Sequence, residues 1–162
     1  MPPPKAPSVR DGMAMVCQVV CRGRGALTVR LEVGSRVALP FSAMGMAWAA
    51  SLEPSVHVAV RGEIAQQFPE QDFRTDMEEA AAQIRQSGFC MTISKLEPDL
   101  VGAATVVNLG HAHGSYVLGC AVPAFRYPRE RCEAELGPKM MALRQQMEED
   151  VPAPMPHPAD AG

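Results

Sequence analysis

Long apolar runs are missing from this 162-residue sequence. No stretch reaches the ~18 residues that a membrane-spanning helix needs, and the opening Met1-Pro2-Pro3-Pro4-Lys5-Ala6-Pro7 has no apolar core of the kind a secretion signal requires. The sequence therefore reads as cytoplasmic. An excess of basic charge is missing too: 15 Lys and Arg stand against 18 Asp and Glu, a net charge of −3, the wrong sign for gripping a phosphate backbone. Direct nucleic-acid binding by this chain alone is not expected. Five cysteines, Cys17, Cys21, Cys90, Cys120 and Cys132, are an odd number without an export signal, so a disulfide framework is not expected and reduced thiols are. Cys17 and Cys21 would share one face of a strand, yet they lack the CxxC turn of a zinc site, so core packing is preferred to ligation. A phosphate loop, a nucleophile elbow and a dinucleotide fingerprint are also missing.

What is present is apolar material for one core: 47% of the residues are apolar and 5% aromatic. Eight of the fifteen prolines lie in two tails, so residues 1–10 and 150–162 read as disordered ends around a single domain over residues 11–149. Charge is uneven. Residues 1–40 carry Lys5, Arg10, Arg22, Arg24, Arg30 and Arg36 against Asp11 and Glu32, while nine basic and sixteen acidic side chains follow. The Arg22-Gly23-Arg24-Gly25 string reads as a solvated hairpin tip.

That tip separates two strand-like runs, residues 13–21 and 26–33, the second with Leu27, Val29, Leu31 and Val33 on one inward face. A small-residue helix capped by Ser42 runs to Leu52 before Pro54, and a weaker one spans 55–67, interrupted by Gly62. The clearest helix is 73–88: Met77, Ala80, Ala81 and Ile84 keep i, i+3, i+4, i+7 spacing and Gly88 stops it. Strands follow at 89–93, 103–108 and 115–122, the last two joined by the glycine-bracketed loop 109–114. A final helix over 128–149 has Leu136, Met140, Leu143 and Met147 as its apolar stripe and a kink at Pro138. Hairpins dominate, so the expected architecture is α+β: an antiparallel sheet with helices packed on it.

Several strings in this order resemble the effector-binding domain of IclR-type bacterial transcriptional regulators. Val33-Gly34-Ser35-Arg36 through Leu39-Pro40-Phe41-Ser42-Ala43 is similar to that family's Leu-Pro-Leu-His-Ala region. Ile84-Arg85-Gln86-Ser87-Gly88-Phe89 resembles its Ile-Arg-x-x-Gly-Tyr, Leu96-Glu97-Pro98-Asp99 through Ala103-Ala104 its Leu-Glu-Pro-Gly segment, and Leu136-Gly137-Pro138 its Leu-Ala-Pro. The likeness runs from about Asp11 to Met147. It implies a curved antiparallel sheet of GAF or PAS type flanked by helices, sensing of a small organic effector, and association as a dimer or tetramer or with a full-length regulator, with no catalysis and no cofactor. The pocket positions it implies are Gly45, Met46, Thr92, Leu100, Gly102, Ala121 and Pro123. Family members that hold small carboxylates often have Cys at the position of Gly102, an acid at Thr92, and serines at Ala121 and Pro123. A carboxylate buried without such donors would cost several kcal/mol, so the ligand expected here is a more apolar compound, or else Met46 fills the space. The family's winged helix, which would precede Asp11, has no counterpart in the sequence, so promoter binding is not expected of this chain alone.

Alternatives remain beside that reading. The first is a pocketless oligomerisation module that modulates a full-length regulator. Another is a thiol enzyme pairing Cys120 with His111 or His113, disfavoured because Leu118 and Val122 flank the thiol with apolar surface. The two histidines as a metal pair lack a third ligand, so a turn is preferred. Glu97 reads equally as a pocket residue or an exposed loop acid. The eleven methionines read as adaptable core filler.

Overall fold

Two sequence periods build two kinds of layer in this chain, and the helices that lack a polar face end up inside. The computed structural model describes residues 10–19, 32–93 and 98–152. Residues 26–31 of the second expected strand, the Arg22-Gly23-Arg24-Gly25 tip, Cys21 and Glu97 lie outside them. Strands β1 (Arg10–Asp11), β2 (Ala14–Val16) and β3 (Arg36–Ala38) form one antiparallel sheet in the order β1-β2-β3. Helices α1 (Ala43–Ala50), α2 (Pro54–Gln67) and α3 (Arg74–Ser87) follow. Then β4 (Cys90–Ile93), β5 (Leu100–Asn108) and β6 (Ser115–Pro123) form a second antiparallel sheet in the order β4-β5-β6. The short α4 (Arg129–Arg131), a wider π turn (Cys132–Leu136) and α5 (Gly137–Glu149) end the domain. The architecture is α+β, as expected, with the described strands divided between two three-stranded sheets.

Each face of the second sheet has its own cover. Alternation along β4, β5 and β6 sends Cys90, Ala104 and Val106 toward the main core, which α1, α2 and α3 build from Met46, Trp48, Val60, Ile64 and Met77. The opposite face sends Met91, Ala103 and Leu118 toward Met140, Leu136 and Met141 of the carboxy-terminal helix region. Helix α1 is apolar nearly all round, with Ala43, Gly45, Met46, Ala47, Trp48 and Ala49 buried, and such a helix must lie in the interior. An edge-to-face trio, Phe41, Phe68 and Phe73, with centroids 5.1–6.0 Å apart, ties the turn before α1 to the α2–α3 connection. The Thr105 hydroxyl donates to the Gly88 carbonyl at 2.6 Å, joining the left-handed end of α3 (Gly88 φ +85°) to β5.

Three sequence expectations need correction. Val33 does not face inward: Val33 and Gly34 form a turn, Gly34 at φ +87°, and Val33 is 70% exposed. The register that matters is instead β2 with β3, Ala14 opposite Ala38 and Val16 opposite Arg36. Gly62 does not interrupt α2, which runs unbroken through it, because the flanking Val60 and Ile64 are both buried and tertiary packing outweighs a propensity deficit of ~1 kcal/mol. The expected kink at Pro138 falls beside a π turn over Cys132–Leu136, which widens the helix where proline has no N–H to give. The stripe expected on that helix is only half used. Met140 is buried, whereas Leu143 and Met147 are exposed.

Two glycine replacements with opposite signs test this packing. A Cβ at Gly62 meets nothing within 4 Å, so Gly62→Ala is expected to stabilise the chain by about 0.5–1 kcal/mol. A Cβ at Gly137 would stand 2.2 Å from the Phe89 ring, so Gly137→Ala is expected to destabilise by about 1–3 kcal/mol. Urea unfolding of both variants reads the two signs.

Candidate functional site

Five of the seven positions implied by the family resemblance meet on one face of the second sheet. Thr92 of β4 pairs with Gly102 of β5, which pairs with Ala121 of β6, and on the next same-face rung Leu100 pairs with Pro123. These side chains point to the α1 face by strand alternation. Above them sits the start of α1. Ser42 caps it, its hydroxyl accepting from the Gly45 amide at 3.1 Å, which leaves the amides of Ala43 and Met44 among those with no acceptor inside the helix. A Cβ on Gly102 would lie 3.1 Å from the Ala43 Cβ, 3.7 Å from the Ala43 amide nitrogen and 3.7 Å from Thr92 Oγ1. Gly102 therefore marks the point where the helix start, β4 and β5 converge.

The electrostatics at that point are unbalanced. Thr92 Oγ1 is sealed from solvent and has no hydrogen-bond partner among the described residues, a state that costs about 1–3 kcal/mol. The positive end of the α1 dipole adds a preference for an electron-rich atom there. A thiol holds the far side: Cys90 Sγ donates to the Ala43 carbonyl at 3.6 Å. Burial pushes that thiol up to about 12, so it stays a proton donor.

Gly45 and Met46 do a different job. A Cβ on Gly45 would fall 1.9 Å from the Leu39 carbonyl oxygen, so Gly45 is where α1 crosses the preceding turn. Met46 is 3% exposed and packs in the main core. The residues that sequence reasoning passed over are Ala43, through its amide, and Cys90. Ser42, recognised as a cap, was the signal that could have found the first.

The alternative chemistry finds no geometry. His111 and His113 lie exposed in the tight turn between β5 and β6, where the Gly114 amide donates to the Gly110 carbonyl at 2.8 Å. Cys120 lies five residues into β6 from Ser115, roughly 17 Å along a strand, on the opposite sheet face, and desolvation pushes its thiol up to about 11. No cluster of three His, Cys, Asp or Glu that could hold a metal occurs among the described residues. Nor is any helix there long and apolar enough to cross a membrane. A wide groove of ≈ 490 Å³ lies away from the Thr92 site, at the β5–β6 turn and the end of α5. Its lining combines Leu109, His113, Leu143 and Met147 with Gln146 and Asp150, and none of these carries a buried, unpartnered side-chain N or O atom.

No known family profile matches the chain. Solved structures do. An IclR-family transcriptional regulator from Brucella abortus shares 27% identity at a TM-score of 0.81, over 88% of this chain and 55% of that one. A transcriptional regulator from Rhodococcus sp. RHA1 matches at 22% identity and a TM-score of 0.74, over 88% and 58%. The inducer-binding domain of the PobR transcription factor from Acinetobacter, solved as a double mutant with 3-hydroxybenzoic acid, matches at 16% identity and a TM-score of 0.64, over 86% and 84%. The chain thus spans little more than half of the first two regulators.

Two outcomes follow from this packing. Gly45→Ala is expected to cost more than about 2 kcal/mol, because it meets backbone, whereas Gly119→Ala meets the flexible Met44 side chain and is expected to cost less than about 1 kcal/mol; urea unfolding compares them. The two raised thiols set a pH dependence. The neutral thiol is the form the fold accepts, so their stabilisation is complete below the ordinary value of 9.0 and is lost as pH rises toward 11–12. Stability measured across that range should fall less steeply in a Cys90→Ala, Cys120→Ala double variant than in the parent.

Proposed function

We propose, from the premise that the chain is an IclR-type effector-binding domain, that it senses a small organic effector at the Thr92–Gly102–Ala121 row and reports occupancy through self-association or association with a full-length regulator. The observation that carries this reading is the buried, unpartnered Thr92 hydroxyl beneath the start of α1. An effector oxygen there would accept from the hydroxyl and face the positive end of the helix. The rest of the row is Leu100, Gly102, Ala121 and Pro123, without a charged group. The ligand class is therefore an apolar or aromatic compound with one electron-rich oxygen. In this reading the chain works in the cytoplasm, without catalysis, and reaches DNA only through a partner, since its net charge is −3.

Thermal-shift titration with a panel of aromatic and aliphatic acids and their neutral analogues tests it. A true effector at 100 times its dissociation constant adds about 2.7 kcal/mol of apparent stability, and Thr92→Val should remove most of that shift while leaving the unliganded chain as stable or slightly more so. A flat response across the panel, with a stable oligomer in solution, would favour a module whose pocket has closed on Ala43 and Gly102.

A further inference from the structure

The groove between the β5–β6 turn and the end of α5 combines an apolar floor with an unanswered negative charge. We propose that it binds a small organic cation, an ammonium group carried on an apolar or aromatic body. At ≈ 490 Å³ the groove is of the size that holds small ligands. Leu109, Leu143, Met147 and Val151 line it, with Leu143 45% and Met147 36% exposed. A flexible thioether beside leucines suits an aromatic ring.

Charge selects the sign of the ligand. Asp150 lines the groove and has no ion-pair partner among the described residues. The acids just before it are engaged: Glu148 Oε1 accepts from Arg144 Nε at 3.1 Å, and Glu149 Oε1 from the Gln145 side-chain amide at 2.8 Å. α5 has no basic residue in its last turn, so nothing on the helix answers the negative end of its dipole or its last free carbonyls. An ammonium group beside Asp150 answers both. A carboxylate there would meet like charge.

Both walls are braced before any ligand arrives. The Asn108 amide donates to Glu148 Oε1 at 2.9 Å, fastening the turn to the helix. The turn closes on itself where the Leu109 amide donates to the Gly114 carbonyl at 2.9 Å. A preformed groove spares the ligand the cost of ordering it. Leu109 lies seven residues beyond Gly102 along β5 and its end, roughly 20 Å of extended chain, so this site is separate from the Thr92 row and takes the opposite chemistry. A shallow groove with one exposed carboxylate supports affinity in the millimolar range.

Titration of the 15N-labelled full chain at low salt with three compounds of one shape and different charge tests this: phenethylammonium, phenethyl alcohol and 3-phenylpropionate. Phenethylammonium is expected to move the amides of Leu109, His113, Met147, Asp150 and Val151. The alcohol should bind about threefold more weakly and the acid about tenfold more weakly. Asp150→Asn should bring the ammonium down to the level of the alcohol, and Leu143→Gln should weaken both. Asp150 and Leu143 are exposed, and thermal melts confirm that each variant folds. Equal affinity for alcohol and ammonium, an undiminished ammonium titration in Asp150→Asn, or no groove shifts up to about 20 mM overturns the proposal. Effector binding at the Thr92 row is read from other amides and stands or falls separately.

Discussion

The close seating of α1 is the constraint on which the rest of the structure depends. An apolar helix is brought to within van der Waals contact of a turn and a sheet at three places, and at each a glycine removes the Cβ that would block it: Gly45 at the Leu39 carbonyl, Gly102 at Ala43, and Gly119 at Met44. The approach puts Trp48, Met46 and Ala47 into the main core. It also delivers the capped start of the helix to the Thr92 rung. Burial and site geometry are thus two results of one packing decision.

The same closeness explains why Thr92 is the informative side chain. A hydroxyl on an exposed rung would be hydrated and unremarked, whereas one sealed beneath a helix start loses its water and finds no protein acceptor among the described residues. Folds tolerate such a group where a ligand restores the bond. Across the sheet, α5 is held by Met140 and by Arg144, whose guanidinium donates to Thr105 at 3.4 Å. Thr105 in turn reaches Gly88 at the end of α3. β5 therefore touches the site through Gly102 and α5 through Thr105, three residues apart on opposite faces.

Much of this was legible in the sequence where a periodicity ran long enough to be read. The i, i+3, i+4, i+7 pattern of α3 and its Gly88 stop are as expected, as are the glycine-bracketed β5–β6 turn and the Ser42 cap. Short elements are not legible: β3 is three residues long, too short for alternation to register, and Val33 continues the alternation of Leu27, Val29 and Leu31 in sequence although the turn at Gly34 puts it outside. The half-used stripe of the last helix was invisible because periodicity reports that a face is apolar and not whether anything lies on it. Of the site, the resemblance supplied Thr92, Leu100, Gly102, Ala121 and Pro123, and the register brings them together. Gly45 and Met46 answer to packing instead, a distinction that rests on the Leu39 contact at 1.9 Å and leaves no mark in residue type.

The proposed sensing turns on an effector oxygen that completes the hydrogen bonding of Thr92 at the start of α1. Titration of 15N-labelled chain with an aromatic acid that raises its melting temperature, followed by amide chemical shifts, tests this most directly. The largest shifts are expected on Ala43, Met44, Thr92, Gly102 and Ala121. Shifts confined to Leu109, His113 and the end of α5, with the Thr92 row unmoved, would contradict it.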